Sequence, residues 1–460
     1  MTQQRKTFVS GQSFALFLIA TFLIVNGARV LPAVEEVSQE AWVAWIKKTA
    51  IQLQTLDWRT VNLKDLRSLD DKLEGKRVIY LGEPDHYIHE KYNYRLILIR
   101  YLFEKGWRYV GMEMGRSDGR RADRFLETGD HRWLEQMAVY GYLGDRRKNR
   151  DERNRPGKAQ KNPGFVKAIV TEEKWFFQQL RSINENLAPG QSRLCWFGYD
   201  ADMYPGGGYR DARELLDKHS KTQLAQKILN SLALVENETV EEEVERLKGV
   251  LALIAKNKGD LQQLLGKNRT DELKGIVHCL LDSKKFLIAR KVGYDLKLMA
   301  PAYREREKTM FRQIDELLDR LPSEEKIILL GHNLHLSKNY KSIRFSGINM
   351  WPSIGSHVNQ KLPGKVYSIW MLYDHGRSAD VSKQSIKYIH SHPGRIESLM
   401  ARAGHAFILP LNSPDPRATY LDNERGFVVN GDTGFGLLRK NADAIFFISE
   451  VTATGEGDRE

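Results

Sequence analysis

Apolar residues recur along this chain in two rhythms. Short continuous runs, each closed by a glycine or an acid, alternate with longer stretches in which apolar side chains return every three or four positions. Val78-Ile79-Tyr80-Leu81 closes at Gly82, and residues 109–112 close at Glu113. Residues 194–197 lead into Gly198-Tyr199-Asp200, and residues 326–330 lead into Gly331-His332. Runs of this kind predict buried strands. Residues 366–372 and 444–449 predict two more. Residues 88–104 carry helical spacing that stops at Gly106. A strand, a helix and a strand within roughly 35 residues form a βαβ unit, whose strands should be parallel. Helical patterns also cover 42–73 and 172–186. Residues 210–321 contain no strand-like run and are rich in Leu, Ala, Glu and Lys, which predicts a block of helices. Pro205-Gly206-Gly207-Gly208 predicts a flexible loop. The expected fold is α/β: a mostly parallel sheet flanked by helices, with an inserted helical segment. The expected division is a leader or anchor over 1–28, core over 40–208, helical insertion over 209–321 and core again over 322–460.

The first apolar run stands outside this pattern. Residues 13–25 follow Arg5 and Lys6 without an intervening charge and stop short of the roughly 20 residues that span a bilayer. A basic start, a short apolar stretch and the small residue Ala28 read as a secretory signal, with an uncleaved membrane anchor as the alternative. Either reading exports the chain to the periplasm or beyond.

Charge changes the picture only locally. The 460 residues hold 71 Lys plus Arg against 59 Asp plus Glu, a net +12. Residues 144–161 supply a net +5 of this in one polar stretch that reads as an exposed loop or insertion. Export argues against nucleic acid as the partner of that charge and favours a small-molecule or envelope substrate. With 41% apolar and 28% charged residues the chain is neither disordered nor a multi-span membrane protein. Two cysteines, Cys195 and Cys279, exclude a disulfide framework and a Cys-rich zinc module.

The candidate chemistry lies just past the predicted strands. Glu83, His86 and Glu90 follow the first strand, Glu113 the second, Asp200 the third, and His332 and His335 the fourth. Sites in parallel sheets lie outside the carboxyl ends of the strands, so these groups should converge on one rim. Glu90 stands four residues after His86, within reach of its ring if a helix begins there. A carboxylate on one ring nitrogen fixes the tautomer and leaves the other to take a proton. Arg95 is expected on the same helix, to bind a carboxylate such as Glu113 or to polarise a carbonyl. His332 and His335, at i and i+3, suit a substrate oxygen or a metal. The chain has no Gly-x-Ser-x-Gly, P-loop or His-Glu-x-x-His motif. Covalent serine catalysis is therefore disfavoured, and a histidine-activated water fits better.

These residues resemble the erythromycin esterase family. Gly82-Glu83-Pro84-Asp85-His86, with Glu90 and Arg95, is similar to its Gly-Glu-x-x-His-x-x-x-Glu motif with a following Arg. Gly111-Met112-Glu113, Gly198-Tyr199-Asp200, Arg306-Glu307-Lys308-Thr309-Met310, His332-Asn333-Leu334-His335, Trp351-Pro352-Ser353-Ile354-Gly355 and the segments 442–445 and 450–452 resemble later elements, in order. The resemblance implies hydrolysis of a lactone ester by histidine-activated water, with no obligatory metal or other cofactor. His86 would be the base, Glu83, Glu90 and Glu113 would orient it and the water, and Arg95, His332, His335 and Asp200 would complete the polar site. Pro84-Asp85 stands where the family more usually has small residues. Two other readings use the same rim: a divalent ion held by His86, Glu113 and His332 or His335, and a non-catalytic envelope-binding protein.

Overall fold

The computed structural model describes residues 37–139, 142–143, 161–202, 207–233, 235, 237–290 and 296–456. The leader-like run 1–28 and the basic stretch 144–161, Lys161 apart, lie outside the described residues. In chain order the strands are β1 Ile51–Gln52, β2 Val78–Glu83, β3 Tyr109–Gly115, β4 Ala138–Val139, β5 Tyr142–Leu143, β6 Cys195–Asp200, β7 Ile327–His332 and β8 Ile343–Phe345. They continue with β9 Ile348–Asn349, β10 Val366–Asp380, β11 Ser385–Ile389, β12 Ala406–Pro410, β13 Arg425–Val429, β14 Asp432–Gly436 and β15 Ala444–Val451. Nine of them form one sheet, in the order β1-β12-β15-β10-β2-β7-β3-β6 with β11 paired to β10. From β15 to β6 every neighbour is parallel. β12 and β1 continue the sheet past β15 antiparallel, and β11 also runs antiparallel. The fold is the α/β, mostly parallel sheet with flanking helices that the apolar runs predict.

The runs are continuous because both faces of the sheet are covered. Ile79, Leu81, Ile328 and Leu330 belong to a core on one face. Val78, Tyr80, Ile327 and Leu329 pack on the other with Met310, Ile314 and Leu318 of helix Leu296–Arg320. The connection from β2 to β3 passes β7, and the connection from β7 to β10 passes β2. The chain thus leaves the central β2–β7 pair in opposite directions, which opens a crevice at their carboxyl ends.

Helices Gly207–Leu216, Gln223–Ser231, Val240–Lys256, Lys258–Leu265 and Lys267–Ala289 close on a core of their own around Leu247, Val250, Leu273 and Val277. Helix Leu296–Arg320 does not join that core but packs on the sheet, so the last helix of the expected 209–321 segment belongs to the sheet layer. Among the described residues no helix is long and apolar enough to cross a membrane.

Three local expectations change. Residues 42–73 are not one helix: helix Gln39–Thr49 ends at Ala50, and helical structure returns only at Leu63–Leu69 and Asp70–Leu73. Between them the Thr55 hydroxyl accepts the Asp57 amide and the Asp57 carboxylate accepts the Arg59 amide, local bonds that compete with a helix. The helix expected from residue 172 begins at Pro163, capped by the Asn162 side chain. Gly207 and Gly208 open a helix rather than a loop, and a Cβ on Gly207 would fall 1.9 Å from Arg121 Nη1. Cys195 and Cys279 are both free.

Candidate active site

The carboxyl ends of β2, β3, β6 and β7 deliver Glu83, Glu113, Asp200 and His332 to one rim, as the strand-end positions predict. Above them opens a cavity of about 420 Å³, lined by His86, His332, His335, Arg306, Asp85 and an aromatic pair, Tyr303 and Trp351, among others. The two rings of that pair stack 4.9 Å apart at 6°. β10 is longer than the predicted 366–372, and its overhang, with the turn into β11, walls the cavity through Ser378, Asp380 and Val381.

His86 sits on the loop between β2 and helix Glu90–Glu104. Its Nδ1 meets Glu83 Oε1 at 2.6 Å. The other carboxylate oxygen of Glu83 pairs with Arg95 Nη2 at 2.7 Å. Burial would raise the Glu83 carboxyl, but Arg95, Lys91 and His86 outweigh it and hold it at about 2. A carboxylate kept ionised therefore fixes the imidazole through Nδ1, and proton acceptance falls to Nε2. Lys91 donates its Nζ to the His86 carbonyl.

Arg95 is 1% exposed, pairs with Glu83 and is not part of the cavity lining. Glu90 does not reach back to His86. Its carboxylate accepts the Thr452 amide at 2.9 Å and the Thr452 hydroxyl at 2.8 Å, because the chain after β15 lies along the start of this helix. Burial raises the Glu90 carboxyl.

The second group centres on Arg306, which sequence reasoning leaves out of the site although its Arg-Glu-x-x-Met segment resembles a family element. Arg306 Nε is 3.0 Å from both Asp200 oxygens, Nη2 is 2.7 Å from Glu113 Oε1, and Nη1 is 3.3 Å from His335 Nε2. Glu113 also accepts the His332 backbone N–H at 2.8 Å. Burial opposes the charge on Glu113, but His335 and Arg306 reverse this and hold its carboxyl well below the usual range. His335 Nδ1 is bonded to Glu307, whose second oxygen accepts the Ile354 N–H. Burial disfavours the His335 cation, yet Glu113 and Glu307 together raise its proton affinity.

His332 is different. Its Nε2–H donates to the Pro84 carbonyl at 3.1 Å, and its Nδ1 accepts the Leu334 amide at 3.2 Å. Burial, helped by His86, lowers it to about 3. The ring is a neutral spacer between backbone groups, although the sequence offers it for a substrate oxygen or a metal. Of the sequence-derived residues, His86, His332 and His335 line this cavity; Glu83, Glu113 and Asp200 stand outside the lining and are bonded to His86, to Arg306 and to the His332 amide, and Arg95 and Glu90 are outside it as well. Among the described residues no group of three His, Cys, Asp or Glu is arranged to hold a metal ion.

Part of the cavity wall comes from a second, four-stranded sheet, β13-β14-β8-β9, which sequence reasoning missed. Phe345 lies on β8, and Asn430 lies in the β13–β14 turn. Asn430 and Gly431 have φ of 51° and 80°, the paired positive values of a tight hairpin for which Asn-Gly is the usual signal. The Asn430 amide donates to the Pro84 carbonyl at 2.7 Å, docking this turn on the His86 loop.

Comparison with known proteins places the chain in a family and a fold. The family model described as erythromycin esterase matches residues 103–451. The match begins after the His86 loop and includes Glu113, Asp200, Arg306 and both strand-end histidines. The chain is 25% identical over 390 residues to Putative hydrolase YbfO of Bacillus subtilis (strain 168), covering 79% of this chain and 80% of that one. A Bacillus cereus protein of known structure superposes with a TM-score of 0.69 at 18% identity, covering 92% of this chain and 100% of that one. A mutant of the erythromycin esterase EreC, in its open conformation, superposes with a TM-score of 0.60 at 16% identity, over 88% of this chain and 98% of that one. The chain belongs to the erythromycin esterase family of hydrolases.

Proposed function

We propose that this chain hydrolyses a carboxylic ester or lactone with a water activated by His86. The observation that carries the reading is the buried Arg95–Glu83–His86 series, which ends at the cavity with the imidazole fixed through Nδ1. His86 Nε2 takes a proton from water as the water oxygen bonds to the carbonyl carbon. The carbonyl π electrons move to oxygen, and Arg306 and His335, both in the cavity lining, face the charge that develops there. Collapse breaks the acyl C–O bond, and the His86 imidazolium returns its proton to the leaving alkoxide. General-base help of this kind is worth about 10²–10⁴ in rate.

The metal-free form of the reaction is favoured because the donors a divalent ion would need are engaged. Glu113 is bonded to Arg306 and to the His332 amide, and both ring nitrogens of His332 are in hydrogen bonds. The substrate is a small molecule or an envelope component, since the 1–28 segment reads as an export signal or anchor. Fractionation of cells making the full chain and a form lacking 1–28 tests the address, and recovery of both in the cytoplasm would reject it.

The decisive experiment is a hydrolysis screen over lactones and simple esters, wild type against His86→Ala, in ¹⁸O-water. The reading expects ¹⁸O in the acid product and a loss of on the order of 10²-fold or more in the variant. Full turnover by His86→Ala would end it.

A further inference from the structure

The loop that carries His86 is tied down by Asp85, a residue to which neither the sequence motif nor the reaction above gives a part. Asp85 is 2% exposed and lines the cavity beside His86. Its Oδ1 accepts the Tyr87 amide at 2.9 Å. An aspartate bonded to the amide two residues on closes an Asx turn, which fixes the backbone of the residue it encloses. Here that residue is His86. Asp85 Oδ2 accepts the Ser378 hydroxyl at 2.8 Å and lies 3.4 Å from the Tyr373 hydroxyl, both on β10. Next to Ser378, the Ala379 amide donates to the Tyr87 carbonyl at 3.0 Å. One carboxylate thus shapes the turn around the base and bonds it to the strand whose following residues wall the cavity.

We propose that Asp85 is a positioning residue that sets the direction of the His86 ring and links it to the β10–β11 wall where substrate would rest. The 2.6 Å bond to Glu83 holds one ring nitrogen but does not fix the backbone that carries the ring. The Asx turn and the Ser378 bond supply that second constraint. The role rests on the ester-hydrolysis reading of the site.

Ring-nitrogen NMR of the full, ¹⁵N-histidine-labelled chain tests the proposal without a substrate. In the wild type His86 should carry its neutral-form proton on Nδ1. Asp85→Ala should lower that tautomer's share and shift the ring signals. Asp85→Asn should restore them, because its amide oxygen still accepts the Tyr87 N–H. Ser378→Ala should shift them part of the way, and it carries the test if Asp85→Ala does not fold. With a cleaved ester in hand, Asp85→Ala should lose on the order of 10- to 10²-fold in kcat, with KM within about twofold, and Asp85→Asn should recover most of it. Unchanged His86 ring signals in folded Asp85→Ala and in Ser378→Ala would overturn the role. Shifted signals in a protein that cleaves no ester would support Asp85 as the positioning residue while rejecting the esterase reading.

Discussion

His86 and His332 stand with ring centroids 5.2 Å apart, and the bonds around them give the two rings opposite duties. Glu83 holds His86 through Nδ1, whereas His332 spends both nitrogens on backbone groups. The His332 value of about 3 lies below that of an unfolded histidine. Between those values the unfolded chain binds a proton that the folded chain refuses. This contribution to stability is complete above about pH 6.5 and falls as pH drops toward 3, by at most about 1.4 kcal/mol per unit. His332→Gln should flatten the acid side of the stability curve. Urea unfolding at pH 4 to 7 reads the difference, and parallel curves would refute it.

Arg306 neutralises two buried carboxylates, Asp200 and Glu113. Arg306→Met leaves them without the guanidinium that bonds both, at a cost of about 3–5 kcal/mol. Arg306→Lys keeps the charge but loses the fork that serves both partners. Denaturant titration should therefore rank wild type, Lys and Met in that order. An equal midpoint for all three would remove Arg306 from the centre of the site.

Glu397 opens helix Ile396–Ala401 with no exposed surface, and one oxygen accepts the Val428 amide. Burial pushes its carboxyl up to about 8. The folded chain then keeps a proton that the unfolded chain releases above about pH 4.5, so this stabilisation is full at low pH and is lost as pH rises toward 8. Glu397→Gln should match the wild type near pH 4 and exceed it by a few kcal/mol near pH 8. Thermal melts at both values check the crossover.

Gly331 precedes His332 under the Glu113 carboxylate. A Cβ there would stand 2.5 Å from the Tyr199 hydroxyl and 3.1 Å from Glu113 Oε2. Gly331→Ala should cost about 1–3 kcal/mol through overpacking and reduce hydrolysis more than melting implies, because Glu113 moves. Adding Tyr199→Phe removes the closer clash and should recover part of the stability. Strictly additive losses in the double variant would contradict that contact.

The parallel sheet was legible because strands buried on both faces leave uninterrupted apolar runs, as at Val78–Leu81. Glu83, Glu113 and His332 were legible because such strands put the site at their carboxyl ends. Arg306 was not, since it lies inside helix Leu296–Arg320 and reads as one charge among many on a polar face. The partner of Glu90 was not either, because Thr452 lies 362 residues away in sequence, beyond any local pattern. The β13–β14 hairpin did leave a signal, Asn430-Gly431 between apolar runs. Its neighbours in the sheet, β8 and β9, are three and two residues long, too short to show a period.

The segment after β15 gives the His86 loop one of its anchors: Thr452 bonds Glu90, and the Thr454 amide donates to the Tyr87 carbonyl. A ribosome makes the loop early and this anchor late. Until then the loop lacks these bonds. The loop therefore reaches its full set of restraints only after residues 452–454 have been made. A product stopped after Val451 would keep every strand of the large sheet but lose the Thr452 and Thr454 bonds to the His86 loop; under the proposed reaction it would be a folded protein of low turnover.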